Sequence, residues 1–209
     1  MIPGKHQSKE VQENFVKKIL KTTKEAKDSN GKLVVLNFDP MHQIHNNEND
    51  YMWQIKGKEG TKQVLSNTGR RRLNILGAID MVNLNIVPFI AEGNCNKEII
   101  KVFLDEVKKA YLKAKKIIIF LDNARYQRNY EVQDYAKKLG ITLEFMPPYS
   151  PNLCLIERLW KFFKKKVIKN KYYETFDEFY DFVCRFFQDW DKWKEELQSL
   201  LSLNFEIIN

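Results

Sequence analysis

Cysteine is scarce in this chain. Cys95, Cys154 and Cys184 are three in 209 residues, an odd number with no C-x-x-C pair. That argues against a disulfide framework and a zinc ribbon, and suits a reducing cytosol. Eight glycines and six prolines are too few for a collagen-like or flexible low-complexity chain. No apolar run approaches the ~18 residues that a membrane span needs. The opening MIPGKHQSKEVQ lacks the apolar core of a signal peptide. What is present is 44% hydrophobic and 13% aromatic residues, enough for one domain with a full core. The net charge is +8 and the pI about 9.2. A basic globular chain points to an anionic partner, nucleic acid before membrane, with plain solubility charge as the bland alternative.

Apolar spacing predicts the order of elements. Val11, Phe15, Ile19 and Leu20 repeat at helical intervals over 9–27, and DSNGK ends that helix. LVVLNFD (33–39) reads as a short strand that stops at its Asp. Residues 51–66 are mixed, with a hairpin expected about KGKEG. Residues 71–93 read as two strands joined near Asn83–Asn85. Ile99, Phe103, Val107 and Ala110 mark a helix over 97–114. KKIIIFLD (115–122) is a continuous apolar run, as in a strand buried on both faces. A helix over 129–139 stops at Gly140, and ITLEFM (141–146) is a further strand. After PPYSP, Ile156, Leu159, Trp160, Phe163 and Val167 share one helical face. A final helix opens on a capping-box pattern, Thr175 with Glu178, and runs through Phe179, Val183, Phe186, Phe187 and Trp190. Early antiparallel strands followed by β-α-β units predict a mixed sheet with helices on its faces.

Three acidic residues stand out. Asp39 and Asp122 each follow an apolar strand, where ligand sites of open α/β sheets lie. Parallel neighbouring strands would make the two carboxylates converge; a simple turn start is the alternative for either alone. Glu157 flanks the buried stripe of its helix, where it could face a sheet edge; a first-turn acid favouring the helix dipole is the alternative. Three hard oxygen donors without convincing His or Cys partners suit Mg²⁺ or Mn²⁺. Two such ions could activate a water or a 3′-hydroxyl against a phosphodiester.

Thirty-four residues separate Asp122 from Glu157. The flanking text is FLDNARYQ and MPPYSPNLCLIERLWKFFKK, preceded by FDPMHQIHNN, YMWQIKG and SNTGRRRLNILGAID. Over most of its length, from about Pro3 to Trp193, the chain resembles the catalytic domain of DDE transposases of the mariner-like superfamily, in the bacterial insertion-sequence branch. The resemblance implies an α/β, ribonuclease H-like fold: a mixed five-stranded sheet with helices on both faces. It implies that Asp39, Asp122 and Glu157 are the catalytic, metal-binding carboxylates, with two Mg²⁺ or Mn²⁺ ions. It implies cleavage of double-stranded DNA at transposon ends and transfer of the 3′-hydroxyl to a target. Four positions depart from the common pattern: Pro40 replaces a Glu, Gln127 a His, and Cys154–Leu155 an Asn-Pro. A domain division follows, with 1–30 a helical lead-in and 31–209 the DDE domain. The helix-turn-helix modules of full-length relatives are expected to be absent, as in a split gene product, a truncated copy or a decayed remnant. The expected partners are a second copy or a higher synaptic oligomer and a separately encoded helix-turn-helix subunit. No membrane is expected, and the setting is the bacterial cytoplasm, at the nucleoid.

Basic residues concentrate after Glu157. Arg158, Lys161, Lys164, Lys165, Lys166, Lys169 and Lys171 stand against that Glu alone within 156–171. As a group they are read as phosphate contacts, with a solvated helix face as the alternative. Candidate DNA contacts are Arg158, Lys161, Lys164 and Lys165, together with Arg70, Arg71 and Arg72 before a strand and Asn123 beside Asp122. His42 and His45 are expected in a loop near the site. Trp160 and Phe163 read as core, base stacking being the weaker alternative. The leading function is metal-dependent DNA strand cleavage and strand transfer. The alternatives are a catalytically inactive DNA- or transposase-binding regulator, and a general ribonuclease H-like nuclease acting on RNA–DNA hybrids.

Overall fold

A computed structural model describes residues 8–51, 53, 65–67, 69–148, 150–205 and 207. The hairpin expected about KGKEG lies outside them. Five strands form one sheet: β1 (Leu33–Ile44), β2 (Arg72–Asp80), β3 (Ile86–Glu92), β4 (Lys116–Leu121) and β5 (Ile141–Phe145), in the order β3-β2-β1-β4-β5. The first three pair antiparallel; β1–β4 and β4–β5 are parallel. The expected mixed five-stranded sheet is therefore present.

The period-2 alternation of β4 explains its unbroken apolar run. Ile117, Ile119 and Leu121 enter one core, Ile118 and Phe120 the other. The Ile117 face is covered by α2 (Lys97–Ala110) and α3 (Tyr130–Lys138), the Ile118 face by α1 (Lys9–Asp28), α4 (Ile156–Phe163), α5 (Phe176–Gln188) and α6 (Trp190–Leu200). Side-chain caps set several helix starts: Asn96 for α2, Asn129 for α3 and Thr175 for α5. In α1, Ile19 is fully buried and Phe15 meets Phe120 edge-on at 5.6 Å, so this helix is part of the main core.

Three elements differ from expectation. The first strand does not stop at Asp39 but runs on to Ile44. Its pairing with β4 ends at Asn37–Phe120, while its pairing with β2 continues to Ile44–Arg72. Pro40, which has no N–H to donate, thus stands where one side of β1 is already free of a partner strand. The helix after PPYSP is α-helical only to Phe163; Lys164–Ile168 form a π-helical turn, with the Lys169 N–H bonded to the Lys164 carbonyl at 2.8 Å. The final helix breaks at Asp189 into α5 and α6.

Candidate active site

The register of β1 against β4 positions the first two acids. Asn37 is level with Phe120, so Asp39 and Asp122 each stand two residues beyond the last pair. Two residues is one strand period, so both keep the face of Asn37 and Phe120, the face covered by α4. There, past the point where the strands part, the sheet opens into a cavity of about 460 Å³. Asp39, Asp122 and Glu157 all line it, with Asn123, Ala124, Met146, Pro147, Pro148, Ser150 and Cys154.

Glu157 reaches this cavity because the start of α4 is tied to the sheet. The Leu155 cap makes no side-chain hydrogen bond. Instead the buried Asn37 side chain caps the helix from β1: its Oδ1 accepts the Ile156 N–H at 2.8 Å and faces the Cys154 Sγ at 3.6 Å. Its Nδ2 donates to the Phe120 carbonyl at 3.3 Å. One amide thus joins β1, β4 and α4, and satisfies a helix N–H that would otherwise be orphaned in the core. The residue was not singled out from sequence. The available signal was a lone polar side chain inside LVVLNFD, since a buried polar group is the informative exception in an apolar run.

The site is electrostatically strained toward positive charge. Burial, then the charges of Asp122 and Glu157, push the Asp39 carboxyl up to about 8, against a hydrogen bond from Trp160 that pulls it down. Burial also raises Glu157; Lys161 opposes this and Asp122 adds to it. Burial and the charges of Asp39 and Glu157 push the Cys154 thiol well up. Asp122 is held by its own turn, its Oδ1 accepting the Ala124 N–H at 3.0 Å. Asn123 donates to the Met146 carbonyl, which ties the turn after β4 to the end of β5. Among the described residues no three His, Cys, Asp or Glu side chains are drawn together closely enough to hold an ion as they stand. The donor set itself, three hard oxygen acids around one cavity with a proton-retaining Asp39, fits a divalent cation of the Mg²⁺ or Mn²⁺ type.

The basic residues have other employments. Arg158 donates to the carbonyls of Ser202 at 2.7 Å and Asn204 at 2.6 Å. Lys164 pairs with Glu48, Lys166 with Glu196 and Lys169 with Asp50, and Lys171 donates to the Lys166 carbonyl. Of the seven cations after Glu157, Lys161, Lys165 and Lys171 are exposed without a close ion pair among the described residues. Arg71 stacks on Phe176 at 3.5 Å and pairs with Glu92, Arg72 donates to Asn94, and Arg70 is exposed.

Neither histidine lines the cavity. His42 is three residues from Asp39, hence on the opposite face of β1, where its Nδ1 meets Asn74. His45 lies beyond the end of β1. It is stacked on Phe179 at 5.4 Å, with Nε2 3.0 Å from the Tyr173 carbonyl.

Fold and site together define a ribonuclease H-like domain with three acids where its central parallel strands part. The chain belongs to the DDE superfamily of endonucleases, whose family model matches residues 34–180. It superposes on the Mos1 transposase paired-end complex with the left transposon end at a TM-score of 0.64 and 12% identity, over 99% of this chain and 66% of that one. The Mos1 mariner paired-end complex with Mn gives 0.62 and 13%, over 99% of this chain and 66% of that one. The catalytic domain of Mos1 mariner transposase gives 0.58 and 13%, over 99% of this chain and all of that one. This chain thus spans a little under two thirds of the Mos1 chain in those complexes. An uncharacterized protein of Sinorhizobium fredii, y4pE/y4sA, is 24% identical over 111 residues, 52% of this chain and 76% of that protein. No described helix is long and apolar enough to cross a membrane.

Proposed function

We propose that this chain is the catalytic unit of an insertion-sequence transposase, which cuts a DNA strand hydrolytically and joins the freed 3′-hydroxyl to target DNA. The observation that carries this reading is the β1–β4 register, which sets Asp39 and Asp122 level on one face with Glu157 across the same cavity. Two Mg²⁺ or Mn²⁺ ions held by these carboxylates would polarise the scissile phosphate and lower the pKa of the attacking water or hydroxyl. Asp39, Asp122 and Glu157 would orient that pair and bring their negative charge to balance it. Trp160 donates to one oxygen of Asp39, Asn37 holds the start of α4, and Met146, Pro147, Pro148 and Ser150 line the same cavity.

Metal use is supported by the donor set and by Mos1 structures that carry Mn or Mg. DNA as substrate is supported by the family and by the transposon end in the Mos1 complex. Residues 31–209 would form the DDE unit behind the 1–30 lead-in. It would act as a dimer or higher synaptic oligomer, with a separate helix-turn-helix subunit choosing the ends, at the bacterial nucleoid.

The test is nicking of supercoiled DNA by the purified chain with Mn²⁺, alongside Asp39→Ala, Asp122→Ala and Glu157→Ala. Nicking by the parent and none by folded single variants is expected. An active variant removes its residue from the catalytic set. DNA binding without any nicking replaces this reading with that of an inactive regulator.

A further inference from the structure

Trp160 has the position of a core residue, yet its polar edge is aimed at the site. Its Nε1–H donates to Asp39 Oδ2 at 3.1 Å. Trp160 is only 5% exposed, so it reaches Asp39 from within the core and not over the surface. What admits it is the residue beside Asp39 on the neighbouring strand. Gly77 of β2 is the register partner of Asp39. A Cβ built there would lie 2.6 Å from the Trp160 Cη2, 2.9 Å from its Cζ2 and 3.1 Å from the Ile156 Cδ1. The first two are contacts that real Cβ atoms essentially never make, and they belong to a rigid packed ring; the third is tight but falls on the end of an aliphatic side chain. Gly77 has no positive φ, so its lack of a side chain is required by space, not by backbone conformation.

Resting on the metal site proposed above, we infer that Trp160 is a positioning residue for Asp39, and that Gly77 serves by making room for it. The indole N–H engages Oδ2 and so fixes the carboxylate plane, leaving Oδ1 as the oxygen offered to a cation. Trp160 lies three residues after Glu157, one helical turn along α4, so the same helix presents one acid to the cavity and sets the angle of another. A partner that orients a ligand in this way is ordinarily worth about 10–100-fold in metal affinity.

Mn²⁺ affinity, measured by calorimetric titration, tests this in the parent, Trp160→Phe, Gly77→Ala and the double variant. About a tenfold loss is expected in each single variant. Little further loss is expected in the double variant, because the two severest contacts of a Cβ at position 77 are with the indole. Since Trp160 is packed in the core, a second probe replaces it with 3-benzothienylalanine, which keeps the two-ring shape and exchanges N–H for sulfur. The same loss with an unchanged melting temperature is expected. Parent-like affinity in a folded Trp160→Phe or benzothienylalanine protein overturns the inference. A parent that binds no Mn²⁺, or binds it equally well after Asp39→Ala, overturns the metal site instead. The Trp160 contact is then judged without metal, by hydrogen exchange at the indole N–H. Faster exchange in Asp39→Ala supports the contact, and unchanged exchange overturns it.

Discussion

Ile156–Phe163 and Lys164–Ile168 are successive parts of one helical segment, and their charges are used in opposite ways. In the first part the single acid, Glu157, is turned into a cavity with two other acids and is raised by burial there. In the second part, Lys164 and Lys166 are neutralised by Glu48 and Glu196 brought from distant parts of the chain. The first part leaves like charges unpaired; the second pairs unlike charges at the surface. Unpaired like charge in a half-buried cavity is costly and needs a reason, whereas surface ion pairs contribute little and need none. The sequence count of basic residues after Glu157 therefore overstates the positive surface available to DNA. Lys161, one turn from Glu157, Lys165 and Lys171 are the members whose charge no described acid neutralises.

The contrast can be broken most severely at its acidic end. Glu157→Gln is nearly isosteric and is expected to reduce Mn²⁺-dependent nicking by more than the roughly 100-fold that loss of an outer-shell partner costs, with the melting temperature retained. Next is the anchor of that end. Asn37→Ala leaves the Ile156 N–H and the Phe120 carbonyl without this partner in the core. A loss of about 2–3 kcal/mol in urea unfolding is expected, with nicking reduced because Glu157 is no longer held.

The third prediction concerns pH in metal-free protein. Folded Asp39 keeps its proton up to about pH 8, whereas the unfolded chain releases it near 3.8. Between those values the folded state binds more protons, so Asp39 makes stability fall as pH rises through this window and level off above it. Asp39→Asn should flatten that slope and leave the variant more stable than the parent at the alkaline end, as read by denaturant midpoints across pH.

The smallest effects belong to the lysine-rich part. Lys161→Ala and Lys165→Ala should each lower the slope of log affinity for DNA against log salt by roughly one. Lys164→Ala should leave that slope unchanged and cost at most about 1 kcal/mol of stability, because its charge is spent on Glu48.

Much of this was legible without coordinates, for identifiable reasons. Period-2 and period-3.6 patterns located the five strands and most helices, because burial on one face or both is written directly into residue order. Asp39, Asp122 and Glu157 could be singled out because acids bordering apolar elements are conspicuous. Three things were not legible. The extension of β1 through Pro40 depends on which partner strand stops first, a tertiary fact. The π turn over Lys164–Ile168 leaves the apolar stripe almost unchanged, so periodicity does not reveal it. The Gly77–Trp160–Asp39 arrangement depends on cross-strand register, and a glycine inside RRLNILGAID carries no sign of which ring it admits.

The two hydrogen bonds of Asn37 have a consequence in time. They join residues 83 and 119 positions apart, to Phe120 and to Ile156. Contacts of such separation close late, after local helices and hairpins have formed. A chain still emerging from the ribosome holds Asp39 and then Asp122 with nothing across from them. The third acid arrives only when α4 has been made and docked onto β1. The three acids thus come together only after most of the chain has been made, and a chain ending before residue 157 lacks the third of them.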